Sequence, residues 1–266
     1  MSNFTNVIKK AIIRLLCIVF GENGQAWLES ESMIAKLKRG YFHEKEIELL
    51  KSFVSAGDTC LDVGANFGQW TFWMSRQVGF SGKVISIEPM PITARVLRKV
   101  VARLSLPNVD IHEIAMGNYD GPTMVTVFED KYKTKFLSVT RLSLDDKIAK
   151  SGVKVKMLTL DSFMKSYNST LRLIKCDIEG AELLFFQEGC SVLKKDKPII
   201  ICEIQCEHAE SYGYKTKALF DFLGSLGYRS FKYCSGKLVA VINSDDSEIN
   251  YIFIHKNDKS AFVSVS

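Results

Sequence analysis

The chain has no dense block of lysine and arginine, no internal repeat, no low-complexity tract and no segment that reads as a linker between domains. The missing basic block argues against nucleic acid as a partner, because the net charge of +5 is a mild excess spread over 266 residues. Such an excess suits anionic substrates or a membrane surface. No apolar run is long enough to span a bilayer; the strongest, Val7 to Phe20 (VIKKAIIRLLCIVF), is too short and is broken by Arg14. No small-residue cleavage site follows it, only Glu22, Asn23 and Gly24, and Leu16 is too large to precede a lipoprotein Cys17. The expected compartment is therefore cytoplasmic. The stretch itself reads as a helix packed over the core or the cofactor; the alternative is an interfacial helix at the inner face of the membrane, near lipid-linked substrates. A disulfide framework is also unsupported: the cysteines number seven, and Cys60, Cys176 and Cys202 lie in apolar runs, as reduced core residues do.

What is present is concentrated between Thr59 and Pro89. An apolar run with Cys60, Leu61 and Val63 ends in a glycine turn, Gly64-Ala-Asn-Phe-Gly68; a helical segment, Trp70 to Val78, follows; a second apolar run, Val84 to Ile87, stops at Glu88. Strand, glycine loop, helix, strand and acid make one half of a doubly wound nucleotide-binding sheet. An acid about 20 residues beyond the turn is placed to accept from a ribose diol. The spacing lacks the tight G-x-G-x-x-G that seats a pyrophosphate on a helix N-terminus. It also carries Asp62, which repels phosphate and welcomes an ammonium. S-adenosylmethionine has that ammonium, a ribose diol and no phosphate.

The rest of the chain reads as one α/β domain with additions: an N-terminal helical extension over residues 1–40 and a main domain over 41–266. Ala26 to Lys38 is mixed in pattern, and Glu44 to Val54 has helical spacing. Pro91 to Leu104 predicts the second helix of the sheet, and Val109 to Ala115 and Met124 to Phe128 predict strands. Asp130 to Ser143 has no clear period and is expected to be an insertion or mobile loop. Val153 to Leu160 predicts a strand leading into a short helix. Leu171 to Cys176 and Pro198 to Ile204 predict buried strands, with a helix from Ala181 to Gln187 between them. Lys217 to Leu226 predicts a helix, and Tyr228 to Tyr233 with Ile249 to His255 a closing antiparallel pair.

In an open parallel sheet ligands lie beyond the carboxyl ends of the strands. Asp62, Glu88 and the pair Asp177 and Glu179 fall at such ends, and Glu203, Glu207 and His208 follow another strand. His208 is the histidine expected near the crevice, where a neutral imidazole suits a general base. Asp177 or Glu179 serves instead if burial raises its proton affinity. The expected site holds no metal. Asp177, Glu179, Glu203 and His208 could nonetheless offer ligands to magnesium or manganese, whereas Cys202, Cys206 and His208 lack the second cluster that zinc needs. The aromatics Trp70, Phe72 and Trp73 are expected mostly in the core, and Tyr41, Phe42 and His43 just ahead of the domain.

LDVGANFGQW, SIEP, TLDSF, LIKCDIEGAE and PIIICEI, in this order between about Tyr41 and Gly227, resemble the FkbM-type S-adenosylmethionine-dependent methyltransferases. The segment from Lys175 to Glu182 is the most specific element. The resemblance implies a Rossmann-like class I fold, a mostly parallel sheet with an antiparallel C-terminal pair. It implies methylation of a hydroxyl on a sugar, glycan, glycolipid or natural product, with S-adenosylmethionine as cofactor. By resemblance Asp62, Gly64, Ala65, Asn66 and Gly68 hold the methionine end, with Thr71 near its carboxylate. Glu88 and Pro89 lie at the ribose, Glu113 to Ala115 border the adenine, and Asp177 and Glu179 face the reacting methyl. Glu203 and His208 complete the expected catalytic edge.

Two other readings stand beside this one. The first is methylation of nitrogen, a peptide or a protein on the same fold; the second is a non-catalytic binding subunit. Retention of Asp62, Glu88, Asp177 and Glu179 together argues against the latter.

Overall fold

The computed structural model describes residues 21–41, 44–129, 135–142, 152–244 and 249–258. The expectations for Val7 to Phe20, Phe42, His43 and residues 143–150 lie outside the described residues.

Helix α1 covers 21–38, and a 3₁₀ turn (Lys45–Leu49) runs into α2 (Leu50–Phe53). Next come β1 (Thr59–Val63), α3 (Gln69–Val78), β2 (Lys83–Ile87), α4 (Pro91–Arg103) and β3 (Val109–His112). An excursion follows, made of β4 (Ala115–Met116), β5 (Gly121–Glu129), β6 (Lys135–Leu142), β7 (Val153–Leu158) and α5 (Leu160–Met164). The chain returns through β8 (Leu171–Cys176), α6 (Glu182–Gln187), α7 (Cys190–Asp196) and β9 (Ile199–Glu203). It closes with α8 (Cys206–Ser211), α9 (Thr216–Ser225), β10 (Tyr228–Cys234), β11 (Lys237–Val241) and β12 (Asn250–His255).

The main sheet has eight strands in the order β11-β10-β12-β9-β8-β1-β2-β3. β3, β2, β1, β8 and β9 run parallel, and β12 enters antiparallel between β9 and β10. The expected doubly wound architecture and its closing antiparallel pair are both present. The chain moves outward from β1 to β3 and then returns to β8 on the other side of β1. The order reverses between β1 and β8, the place where such sheets bind ligands.

Both faces of the sheet are covered, so its strands read as continuous apolar runs. On one face Cys60, Leu173, Ile199, Ile201 and Ile252 pack against Trp70 and Met74 of α3 and Leu50 and Phe53 of α2. Two residues on from Cys60, Leu173 and Ile201, and two before Ile252, the same face carries Asp62, Lys175, Glu203 and Asn250. Lys175 is in register with Asp62, and Asn250 with Glu203. A strip of polar residues therefore tops an apolar face.

Ala26 to Lys38, within the expected helical extension, is regular helix: Ala26, Ile34 and Leu37 find an apolar surface on α4 that the local pattern does not reveal. Three expectations need correction. Val109 to Ala115 is not one strand: β3 joins the main sheet, whereas β4 joins a second sheet of order β4-β7-β5-β6. The Asp130–Ser143 stretch includes a strand, β6, paired antiparallel with β5; pairing across the sheet supplied what periodicity did not. The edge strand β11 was not expected. It hangs on a hairpin turn at Ser235 and Gly236, both with positive φ (49° and 81°), the backbone a two-residue hairpin needs.

Candidate active site

At the end of β1 the chain turns through Gly64 with φ +79°, and a Cβ there would stand 1.8 Å from the backbone oxygen of Asp177. β1 and β8 approach so closely at the switch point that a side chain at position 64 has no room. Four of the turn's five amides are already committed. The N–H groups of Gly64 and Ala65 donate to the Ile87 carbonyl at 3.0 and 2.9 Å, and that of Gly68 to the Ala65 carbonyl at 2.8 Å. Asn66, in left-handed backbone (φ 49°), donates its N–H to Oε2 of Glu88 at 3.0 Å. A phosphate cradle needs such groups turned outward; here they are turned in.

Glu88 is 3% exposed, and its other oxygen accepts from the Met90 N–H at 2.9 Å. Two backbone donors thus orient a carboxylate that retains further lone pairs for a diol. Burial pushes its pKa up to about 7, while the Met90 and Asn66 N–H groups pull it down. Asp62 is fully enclosed. Burial raises its pKa to about 6, against the hydroxyl of Thr71, which donates to Oδ2 at 2.6 Å. Glu88 thus suits a ribose diol, whereas Asp62, as enclosed as Lys175, acts on the crevice through its charge and not as a contact surface.

The structure separates the remaining expected cofactor contacts. Thr71 is fully buried, with its hydroxyl 2.9 Å from that of Ser86 as well as on Asp62. It lies beneath the turn and fixes Asp62, so it is a support for that acid and not a surface of the crevice. Pro89 lies between Glu88 and Met90 and is partly exposed. Glu113 is exposed and pairs with Arg98 of α4 at 2.8 Å. Ala115 belongs to β4 and is 2% exposed, in the core shared by α1, α4 and the second sheet.

On the other side of the switch point the Asp177 N–H continues the sheet by donating to the Val63 carbonyl at 3.0 Å. The chain then turns through Ile178, Glu179 and Gly180. Glu179 holds left-handed backbone (φ 55°), a conformation that a non-glycine residue adopts at a cost. Gly180 (φ +110°) lies so close to α8 that a Cβ would stand 2.5 Å from the His208 backbone oxygen. The loop is held from below by Glu182, 2% exposed, whose Oε1 accepts from the N–H groups of Ile178 and Gly180 at 3.2 and 3.0 Å. The Tyr214 hydroxyl donates to the Gly180 carbonyl at 2.8 Å.

That packing brings His208 to Glu179: Nδ1 lies 3.0 Å from Oε2, with both side chains largely buried. The two candidates for general base are therefore one unit. Asp177 stands at the same strand end. Burial raises its pKa well above the carboxylate range; Lys175 opposes that, and Glu203 and Glu179 reinforce it. Glu203 ends β9, and its Oε1 accepts from Nε2 of Gln205 at 2.6 Å. Among the described residues no group of three or more His, Cys, Asp and Glu side chains is arranged to hold a metal ion.

Sequence reasoning passed over three members of this end of the sheet: Lys175, Asn250 and Glu44. Lys175 is 1% exposed, with Nζ 3.3 Å from Oδ1 of Asn250 and 3.4 Å from Oε2 of Glu44. Burial works against its charge, but Glu44, Asp177 and Glu203 outweigh burial and hold its pKa above the ordinary value. A lysine inside the apolar run Leu171 to Cys176 was the available signal. Its partners, about 130 residues before it and 75 after it, gave none.

Among the described residues no helix is long and apolar enough to cross a membrane. A family model described as the Methyltransferase FkbM domain matches residues 62–230. Two curated relatives, each named ribosomal RNA large subunit methyltransferase E, come from Bdellovibrio bacteriovorus and Wigglesworthia glossinidia brevipalpis. They are 26% and 28% identical over 76 residues, covering 29% and 27% of this chain and 39% and 37% of theirs. The match thus spans less than two fifths of either relative. Among solved structures, an FkbM methyltransferase from Methylobacillus flagellatus is similar at 15% identity and TM-score 0.47, over 74% of this chain and 43% of that one. An S-adenosylmethionine-dependent O-methyltransferase from Thermotoga maritima is similar at 13% identity and TM-score 0.46, over 83% and 69%.

Proposed function

This chain belongs to the FkbM methyltransferase family, and from that membership we propose that it transfers the methyl group of S-adenosylmethionine to a hydroxyl of a sugar, glycan, glycolipid or related natural product. The observation that carries the choice of a hydroxyl acceptor is the Glu179–His208 pair, 3.0 Å apart, with Glu179 in the loop that follows β8 and His208 on α8. A sulfonium supplies an already activated methyl, so it is the acceptor oxygen that needs help: placement in line, a dry site and a base. With Nδ1 of His208 3.0 Å from Glu179, Nε2 is the nitrogen left to take up the hydroxyl proton. Glu179 orients the ring and balances the imidazolium that forms. Asp177 and Glu203 line the same edge, placed to accept from neighbouring hydroxyls. Peripheral contact with a membrane through Val7 to Phe20 would bring such an enzyme to lipid-linked acceptors.

The test has two stages. Calorimetric titration with S-adenosylhomocysteine is expected to give micromolar binding, unchanged by EDTA. Transfer of labelled methyl from S-adenosylmethionine is then scored on sugars and glycolipids, with RNA and peptides in the same panel. Label on RNA alone would replace the sugar reading by methylation of RNA, a reading that the short matches to the two ribosomal RNA methyltransferases favour. Failure to bind S-adenosylhomocysteine would sink the cofactor assignment itself.

Glu88 gives this binding a pH signature. Its raised pKa means that the empty crevice prefers the protonated acid. Glu88's contribution to stability is therefore present below its ordinary pKa and lost as pH rises through about 7. A diol donating to Glu88 prefers the ionised form, so stabilisation by S-adenosylhomocysteine should grow from about pH 6 to about pH 8. Thermal melts with and without ligand measure this. In Glu88→Ala the rise centred near pH 7 should vanish and the affinity drop by roughly tenfold or more. A ligand-induced shift that ignores pH would remove Glu88 from the ribose.

A further inference from the structure

Lys175 has almost no surface with which to touch a ligand, yet its partners link the parts of the chain that surround the cofactor turn. A buried ammonium is costly unless well paired, and replacing such a pair by apolar residues often costs nothing. What a buried pair does supply is a defined geometry. Besides Asn250 and Glu44, Nζ stands 5.6 Å from the centre of the Trp70 ring in the first turn of α3. Glu44 reaches further: Oε1 accepts from Nε2 of Gln69 at 3.5 Å, and Oε2 from Nδ2 of Asn250 at 3.4 Å. The Asn250 amide also donates to Oε2 of Glu46 at 3.4 Å. Gln69 is the first residue of α3, directly after Gly68 of the cofactor turn.

The opposite flank of that turn is gripped by α1. Ala26, Ile34 and Leu37 pack with Met90, Ile92 and Val96 at the start of α4. Glu31 pairs with Arg103 at 3.0 Å, and Asn23 accepts from Arg95. Met90 is one of the two residues whose N–H groups orient Glu88. The residues before β1 thus hold both helices that border the turn, α4 through α1 and α3 through Glu44. Only the second hold is anchored on a buried charge of the sheet.

We propose that Lys175 is a positioning residue for the cofactor crevice: its buried ammonium clamps Glu44 against the end of the sheet and so fixes the Glu44 segment at the head of α3 in the arrangement that binds the cofactor. The proposal rests on the cofactor reading above and adds to it a residue outside the cofactor's own contact surface.

Calorimetric titration of S-adenosylhomocysteine into the full chain, Glu44→Gln, Lys175→Met and the double variant tests it, each at a temperature where circular dichroism shows the protein folded. The wild type should bind. Each single variant should bind about tenfold more weakly, and the double variant no more weakly than Lys175→Met, because one lost partner already opens the clamp. Should Lys175→Met not fold, Glu44→Gln carries the test, since Glu44 is partly exposed. Trypsin cleavage after the exposed Lys38 or Arg39 supplies a readout that a purely structural role would not move: ligand should slow it in the wild type and not in the variants. Wild-type affinity in Glu44→Gln, or fully additive losses in the double variant, would overturn the proposal alone. A wild type that does not bind at all would overturn the cofactor reading and the proposal with it.

Discussion

Gly64→Ala is expected to destabilise the protein by on the order of 3 kcal/mol and to abolish measurable cofactor binding. Left-handed backbone costs a residue with a Cβ roughly 1–2 kcal/mol, and overpacking a tight contact adds ~1–3 kcal/mol. The atom in the way is the backbone oxygen of Asp177, 1.8 Å from the new Cβ. No side-chain rotation can move it. Relief has to come from parting β1 and β8, which carries Asp177 and Glu179 away from the turn. Urea denaturation gives the stability loss, and the same samples serve for titration with S-adenosylhomocysteine. Gly79→Ala is the control: its φ is also positive, +65°, but nothing lies within 4 Å of its Cβ position. Its backbone (φ 65°, ψ −171°) lies in a region almost confined to glycine, so the change should cost about 1–3 kcal/mol, yet it should leave binding intact. Equal losses of binding at the two positions would mean that the close approach at the switch point is not what demands glycine there.

His208→Ala is expected to lower turnover by about 10²–10⁴-fold on any accepted hydroxyl, with affinity for S-adenosylhomocysteine unchanged. Glu179→Gln should show the smaller loss of a group that orients the base. Because the two side chains act as one unit, the double variant should be little worse than His208→Ala. Initial rates over a pH series separate this from a simple packing defect: the wild-type rate should rise with loss of an imidazolium proton, and His208→Ala should lose that limb. Unchanged turnover in His208→Ala would return the role of base to Asp177, whose raised pKa equips it for proton transfer.

The apolar runs and the glycine turn were legible in the chain because strand burial and left-handed backbone leave their mark on adjacent residues. For the same reason Glu88, Asp177 and Glu179 could be placed at strand ends. The Lys175 cluster was not legible in this way, since Glu44, Lys175 and Asn250 meet only after the strands have ordered themselves β12-β9-β8. Thr71, Glu113 and Ala115 show the converse. Each sits near a cofactor segment in sequence, yet Thr71 turns under Asp62, Glu113 out to Arg98, and Ala115 into a second core.

By itself, then, the amino-acid sequence determined the doubly wound sheet, the acidic phosphate-free turn and the family, all of which are local patterns repeated along one strand or one loop. Tertiary structure alone decided that Glu179 and His208 form one pair, that Thr71 supports an acid, and that a buried lysine ties the N-terminal segment to the site. Side-chain partnership depends on which strands become neighbours and which faces they share, and that is settled by burial across the whole fold.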